Sequence, residues 1–203
     1  MLGLLYKDMV NLRAQFKVMA LLVILYSFFA FASGNSAMLG AIITILGAMM
    51  PITALAYDEK AHWDKYALTM PVSRNQIVMS KYLLGSGFVM IAFVINLIFN
   101  LLTGMMPADM FLPVTFALTA AGFLFMTLLF PVMIKFGVEK GRIMMFLLIL
   151  LPTIVAMIGS KLNVPLPSEE MILRLPYIGF IASILLCGIS MLISMKIYQN
   201  KEF

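Results

Sequence analysis

The chain has 203 residues, of which 63% are hydrophobic and only 11% charged, with a formal net charge of +5. A soluble domain of this size carries about 25% charged residues, so an ordinary water-soluble enzyme or binding module is excluded. The basic excess does not mark a nucleic-acid binder, because the Lys and Arg residues are spread over short segments between apolar blocks, where they act as topology signals. Cys187 is the single cysteine and sits inside an apolar block, so no internal disulfide can form and the redox compartment stays open.

The N-terminal stretch, 1–17, places Leu2, Leu5, Met9, Leu12 and Phe16 at alternating steps of three and four, with Lys7 and Asn11 opposite. That periodicity predicts an amphipathic helix lying in the membrane interface, its basic residues near lipid phosphates. The plainer reading is an extension of the first span. From Val18 to Tyr57 there is no charge at all. The run is too long for one crossing and is interrupted by the turn cluster Ser33-Gly34-Asn35-Ser36, which predicts spans near 18–33 and 37–56. Ala30-Phe31-Ala32 has the form of a signal-peptidase site, yet further spans follow and the charge distribution is regular only if the first span is retained.

Further apolar stretches at 82–104, 111–134, 143–160 and 177–195 complete an expected set of six spans, all helical because hydrocarbon offers no partner for backbone N–H and C=O groups. With the N-terminus inside, the inner segments hold twelve of the 14 Lys and Arg residues, and the outer ones only Lys161 and Arg174. This bias predicts that both termini and the loop at 57–81 are cytoplasmic.

That loop, Tyr57 to Lys81, is the longest water-compatible stretch and contains the only Trp and the only His. Asp58, Glu59 and Asp64 lie near the start of a short expected helix, where carboxylates suit the helix dipole. Trp63 and Tyr66 serve as interfacial anchors or as aromatic plugs for a partner's pocket. Met70-Pro71 is expected to break the helix. Ser73-Arg74-Asn75-Gln76 then has the spacing of a capping box that starts a new helix running into the third span. Helix, proline break and capped helix form a rigid elbow, able to transmit a push. His62 has no second His or Cys nearby to share a metal and reads as a solvated or docking residue.

In the third span Asn96, Asn100 and Thr103 share one helical face. Polar groups in lipid turn inward, so these either line a substrate path or hydrogen-bond neighbouring helices. Gly179, Ser183 and Cys187 form a small-residue stripe suited to close helix packing. Pro51, Pro131 and Pro152 lie inside spans and act as hinges or static bends. Glu169-Glu170 with Arg174 spells a signature of intramembrane prenyl-protein-type proteases, but the histidines that such chemistry needs are missing. The spacing of Glu170 and Arg174 fits an ordinary helical ion pair.

Tyr66-Ala67-Leu68-Thr69-Met70-Pro71-Val72-Ser73-Arg74, followed by Ile77-Val78 and Lys81-Tyr82-Leu83, resembles the motif after the second span in permeases of the type-2 ATP-binding-cassette (ABC) transporter family, approximately Tyr-x-Leu-Ser-Leu-Pro-Val-Ser-Arg, then Ile-Val and Lys-Tyr-Leu. The resemblance extends over nearly the whole chain through the six-span layout and the interfacial N-terminal helix. Within that family the chain resembles small bacterial permeases that export amphipathic peptides, such as those for phenol-soluble modulins or lantibiotics. The resemblance implies an all-α membrane protein of the bacterial plasma membrane, coupled to a separate ATP-binding subunit and paired with a second permease chain, identical or related. It implies that residues 58–73 are the coupling segment. The chain has no phosphate loop of its own, so it is expected to be no enzyme and to bind no cofactor, with ATP and Mg held by the partner. Nucleic acid is not an expected partner; membrane lipid is. A reading from a different class stays open: a non-transporting immunity or sensor protein whose cytoplasmic loop binds a partner.

Overall fold

The computed structural model describes residues 1–161 and 169–201, and every regular element among them is an α-helix. These are α1 (Leu2–Asn11), α2 (Arg13–Ser33), α3 (Ser36–Lys60), α4 (Trp63–Ala67), α5 (Arg74–Thr103), α6 (Ala108–Phe136), α7 (Val138–Lys161) and α8 (Glu169–Gln199). Of the expected outer segment 161–176, residues 162–168 lie outside the described ones, and 169–176 form the first turns of α8.

Helix boundaries follow local chemistry. Gly34 ends α2 in the left-handed region at φ 66°, and Asn35 starts α3 by accepting the Ala37 N–H at 3.0 Å. The turn cluster therefore works as one C-cap followed by one N-cap. Ser73 and Gln76 form the full capping box at the head of α5. Gly104, at φ 58°, closes the other end of that helix.

Among the described residues five helices, α2, α3, α5, α6 and α8, are long and apolar enough to cross a membrane. The stretch 143–160 lies within α7, a 24-residue helix. The helices begin earlier than the apolar runs: α5 starts at Arg74, eight residues before the apolar stretch at 82. Backbone hydrogen bonding carries a helix beyond the lipid-compatible residues wherever a cap permits it.

The centre of the bundle is α3 against α5 and α6. Close approach depends on small residues. A Cβ on Gly47 would sit 3.0 Å from the Phe88 carbonyl oxygen, and one on Gly40 would meet the Asn96 side chain. Val89, Met126, Leu129 and Phe130 fill the space between α5 and α6. Along its length α8 packs on α6 and in part on α5. Its buried face is hydroxyl-rich: Tyr82 on α5 shares hydrogen bonds with Ser190 and Ser194 at 2.7 and 2.8 Å, and Ser190 also donates to the Thr127 carbonyl. Only the Ser183 and Cys187 part of the expected stripe packs closely; Gly179 has no neighbour where a Cβ would stand. By contrast α2 keeps a broad apolar face uncovered, including Leu21, Ile24 and Phe28.

Candidate functional site: the charged pole

One end of the bundle gathers the charged segments. The end of α3, all of α4, the heads of α5 and α7, the last turns of α6 and α8, and α1 meet there through hydrogen bonds and ion pairs. The elbow 57–81 is the hub.

On one flank α1 is clamped to the elbow by ionised groups. Lys81 donates to both oxygens of Asp8, at 2.8 and 2.7 Å, and to Asp58. Lys7 lies 2.6 Å from the other Asp58 oxygen and 3.1 Å from Asp8. The two lysines and two aspartates alternate in sign around a closed, formally neutral ring. Three members are almost dry: side-chain exposure is 1% for Asp8, 3% for Lys81 and 9% for Asp58. Charges this deep are tolerated only when paired and hydrogen-bonded, which each of them is. The Lys7 ammonium also sits 4.4 Å from the centre of the Trp63 ring, a cation–π distance.

This changes the reading of the N-terminal helix. The expected apolar stripe divides: Leu5, Leu12 and Phe16 pack on Met50, Ala54, Leu84 and Phe88, whereas Leu2 and Met9 are exposed. Lys7, expected on the outward polar side, turns inward beside Asp8, where its charge balances the second of two aspartates otherwise facing Lys81 alone. A single residue, Leu12, separates α1 from α2.

On the other flank α8 is clipped to the elbow. The Arg74 guanidinium donates to the carbonyls of Tyr198, Gln199 and Lys201, the last at 3.0 Å. A cation there suits the carbonyl end of a helix. The Tyr198 hydroxyl donates to Asp64 at 2.8 Å, and Gln199 bonds Asn75. Lys201 donates to the Ile134 carbonyl on α6 at 3.0 Å. A third attachment comes from Glu59, whose carboxylate accepts the Val138 N–H at the head of α7. Gly137, at φ 87°, is needed beside it, since a Cβ would stand 2.9 Å from that carboxylate.

The structure thus divides the expected coupling residues into two sets. Asp58, Glu59, Trp63, Asp64, Val72 and Arg74 are engaged with the bundle. Among the described residues Trp63 Nε1 is the one buried side-chain polar atom without a partner. His62, Tyr66, Met70, Pro71 and Ser73 are exposed. His62 takes a left-handed conformation, φ 49°, to turn α3 into α4. Helix α4 ends at Ala67, earlier than the expected break at Met70-Pro71, and its last turn is closed by N–H bonds of Leu68, Thr69 and Met70. The residue before a proline is pushed out of the helical region, so the chain leaves the helix before Pro71.

Asn96 and Asn100 are buried between α3 and α5 and bonded within the chain. Asn96 donates to the Gly40 carbonyl at 3.2 Å, Ser36 donates to Asn100, and Thr103 donates to the Phe99 carbonyl of its own helix. These contacts fit the helix-packing alternative for the polar face. Glu170 and Arg174 form the expected i,i+4 pair at 2.7 Å.

The family model for the ABC-2 family transporter protein matches residues 3–199. The chain belongs to the ABC-2 transporter family. It is a multi-pass membrane subunit of an ABC transporter, a class that works in general with an ATP-binding subunit. No curated protein matches the permease. Of the clamp and clip residues outside the elbow, Asp8, Tyr198 and Lys201 carry no sequence signal of their role, and Lys7 was expected on the outward face instead. Lys81 was legible as part of the motif, but not its partners, which lie 23 and 73 residues away.

Proposed function

We propose that this permease is the membrane half of an exporter, with six spans and both termini on the cytoplasmic side of a bacterial plasma membrane. It moves a hydrophobic or amphipathic substrate, such as an amphipathic peptide, outward. Energy comes from ATP and Mg in a separate nucleotide-binding chain, and a second permease chain, identical or related, completes the pathway. The observation that carries this reading is the construction of the elbow, together with family membership. Its inner side is tied to α1, α7 and α8, and its outer side presents Tyr66, Met70 and Pro71. An exposed aromatic and an exposed methionine on a short, well-anchored helix and turn suit insertion into a cleft of a partner. A push at that point enters a braced body and is not absorbed by loop bending.

The test is affinity capture of the permease from native membranes in mild detergent, with identification of what co-purifies. An ATP-binding subunit is expected, and it is expected to be lost from Tyr66→Asp/Met70→Asp while the variant remains folded in the membrane. Absence of any ATPase across several detergents would overturn the transporter mechanism and favour a non-transporting immunity or sensor role. Pro71→Gly is expected to keep the ATPase bound but lower transport per ATP hydrolysed.

A further inference from the structure

We propose that Tyr198 and Lys201, at the far end of the sequence from the elbow, are positioning residues for energy coupling: they fasten the elbow to the α6–α8 pair. This rests on the reading of the chain as an ATPase-driven permease. Tyr198 alone makes three kinds of attachment. Its ring is buried in the cluster that includes Ala67 of α4 and Ile77 and Val78 of α5. Its hydroxyl donates to Asp64 on α4. Its carbonyl accepts from Arg74 at the head of α5. Lys201 works in both directions, with its carbonyl accepting from Arg74 and its ammonium donating to Ile134 at the end of α6. A small cavity of about 50 Å³ marks the seam, with Asp58, Asp64, Lys81 and Tyr198 on its polar side and Ile77 and Val78 on its apolar side.

The arrangement has a mechanical consequence. Helix α4 is only five residues long and is followed by a non-helical segment, Leu68–Ser73. By itself it would deform under load. Through Tyr198 it shares a hydrophobic cluster and a hydrogen bond with α8, and α8 packs along α6. Displacement of the elbow therefore moves the ends of α6 and α8 together with the head of α5. The remote turns of α5, at the opposite pole, follow as the end of a continuous helix, and those of α8 follow as far as Pro176, the proline inside it.

The test uses the full chain with its ATPase partner in lipid nanodiscs. In a Cys187→Ser background, an environment-sensitive fluorophore is placed at Ile178→Cys, an exposed site towards the opposite end of α8 and on the elbow side of Pro176. The emission is expected to shift on addition of ATP with vanadate. Tyr198→Phe and Lys201→Met are expected to lose most of that shift while binding the same amount of ATPase, and Lys201→Arg, which keeps the donor, is expected to retain it. A purely structural role would lower the yield of folded complex instead. A full shift in both Tyr198→Phe and Lys201→Met, or no shift in the otherwise unmodified complex, would overturn the proposal. Failure of the unmodified chain to capture any ATPase would instead overturn the transporter mechanism on which it rests.

Discussion

The two flanks of the elbow are held by different chemistry. On the α1 side four ionised groups, Lys7, Asp8, Asp58 and Lys81, close a nearly dry ring. On the α8 side most of the bonds run from the charged donors Arg74 and Lys201, both half-exposed, to backbone carbonyls. The difference teaches how each joint behaves under load. A buried ion pair is costly to open, because separation leaves charges in a poor solvent. The ring therefore keeps α1, the end of α3 and the head of α5 as one body. Carbonyl bonds at a helix end can be exchanged for water at low cost, so the clip is the more adjustable of the two.

The largest expected effect comes from breaking the ring. Lys81→Met leaves Asp8 and Asp58 facing Lys7 alone, and should destabilise the detergent-solubilised protein by about 3–5 kcal/mol, read as a fall in the midpoint of thermal unfolding. Replacing the whole ring by Lys7→Met, Asp8→Leu, Asp58→Leu and Lys81→Met should restore most of that loss, since removing both signs together leaves no orphaned charge. A quadruple variant as unstable as Lys81→Met would show that packing, and not charge pairing, governs this flank.

Effects on the α8 side should be smaller. Tyr198→Phe removes one hydrogen bond to a carboxylate while keeping the buried ring, and about 1.5–3 kcal/mol is the usual range for such a bond. A loss equal to that of Lys81→Met would erase the distinction between the flanks. Arg74→Lys keeps the charge but loses the fork that reaches several carbonyls at once, with an expected cost of about 1 kcal/mol. The smallest effect belongs to Glu170→Gln. Its pair with Arg174 is about three-quarters exposed on both sides, so a change below about 0.5 kcal/mol is expected, shrinking further in high salt.

Much of the fold was legible because it depends on local pattern. The Ser33–Ser36 turn, the capping box at Ser73 and Gln76, and the Glu170–Arg174 pair each involve residues no more than four apart, and each appears as expected. The N-terminal helix was legible as a helix but not in its orientation. Amphipathicity ranks side chains by their preference for water, and it has no means of registering that Lys7 and Asp8 find opposite charges on segments 50 or more residues away. The charged elbow was visible as a charged loop, yet which of its residues face inward depends on partners from α1, α7 and α8.

By itself the sequence determined a helical, membrane-embedded chain with its basic residues gathered into alternate connecting segments, because apolar length and the need to satisfy backbone groups in hydrocarbon leave no other solution. Tertiary structure alone decided that those segments form one braced pole. Burying Asp8, Asp58 and Lys81 is favourable only where opposite charges from distant parts of the chain arrive together, and only the packing of α1, α3 and α5 brings them there.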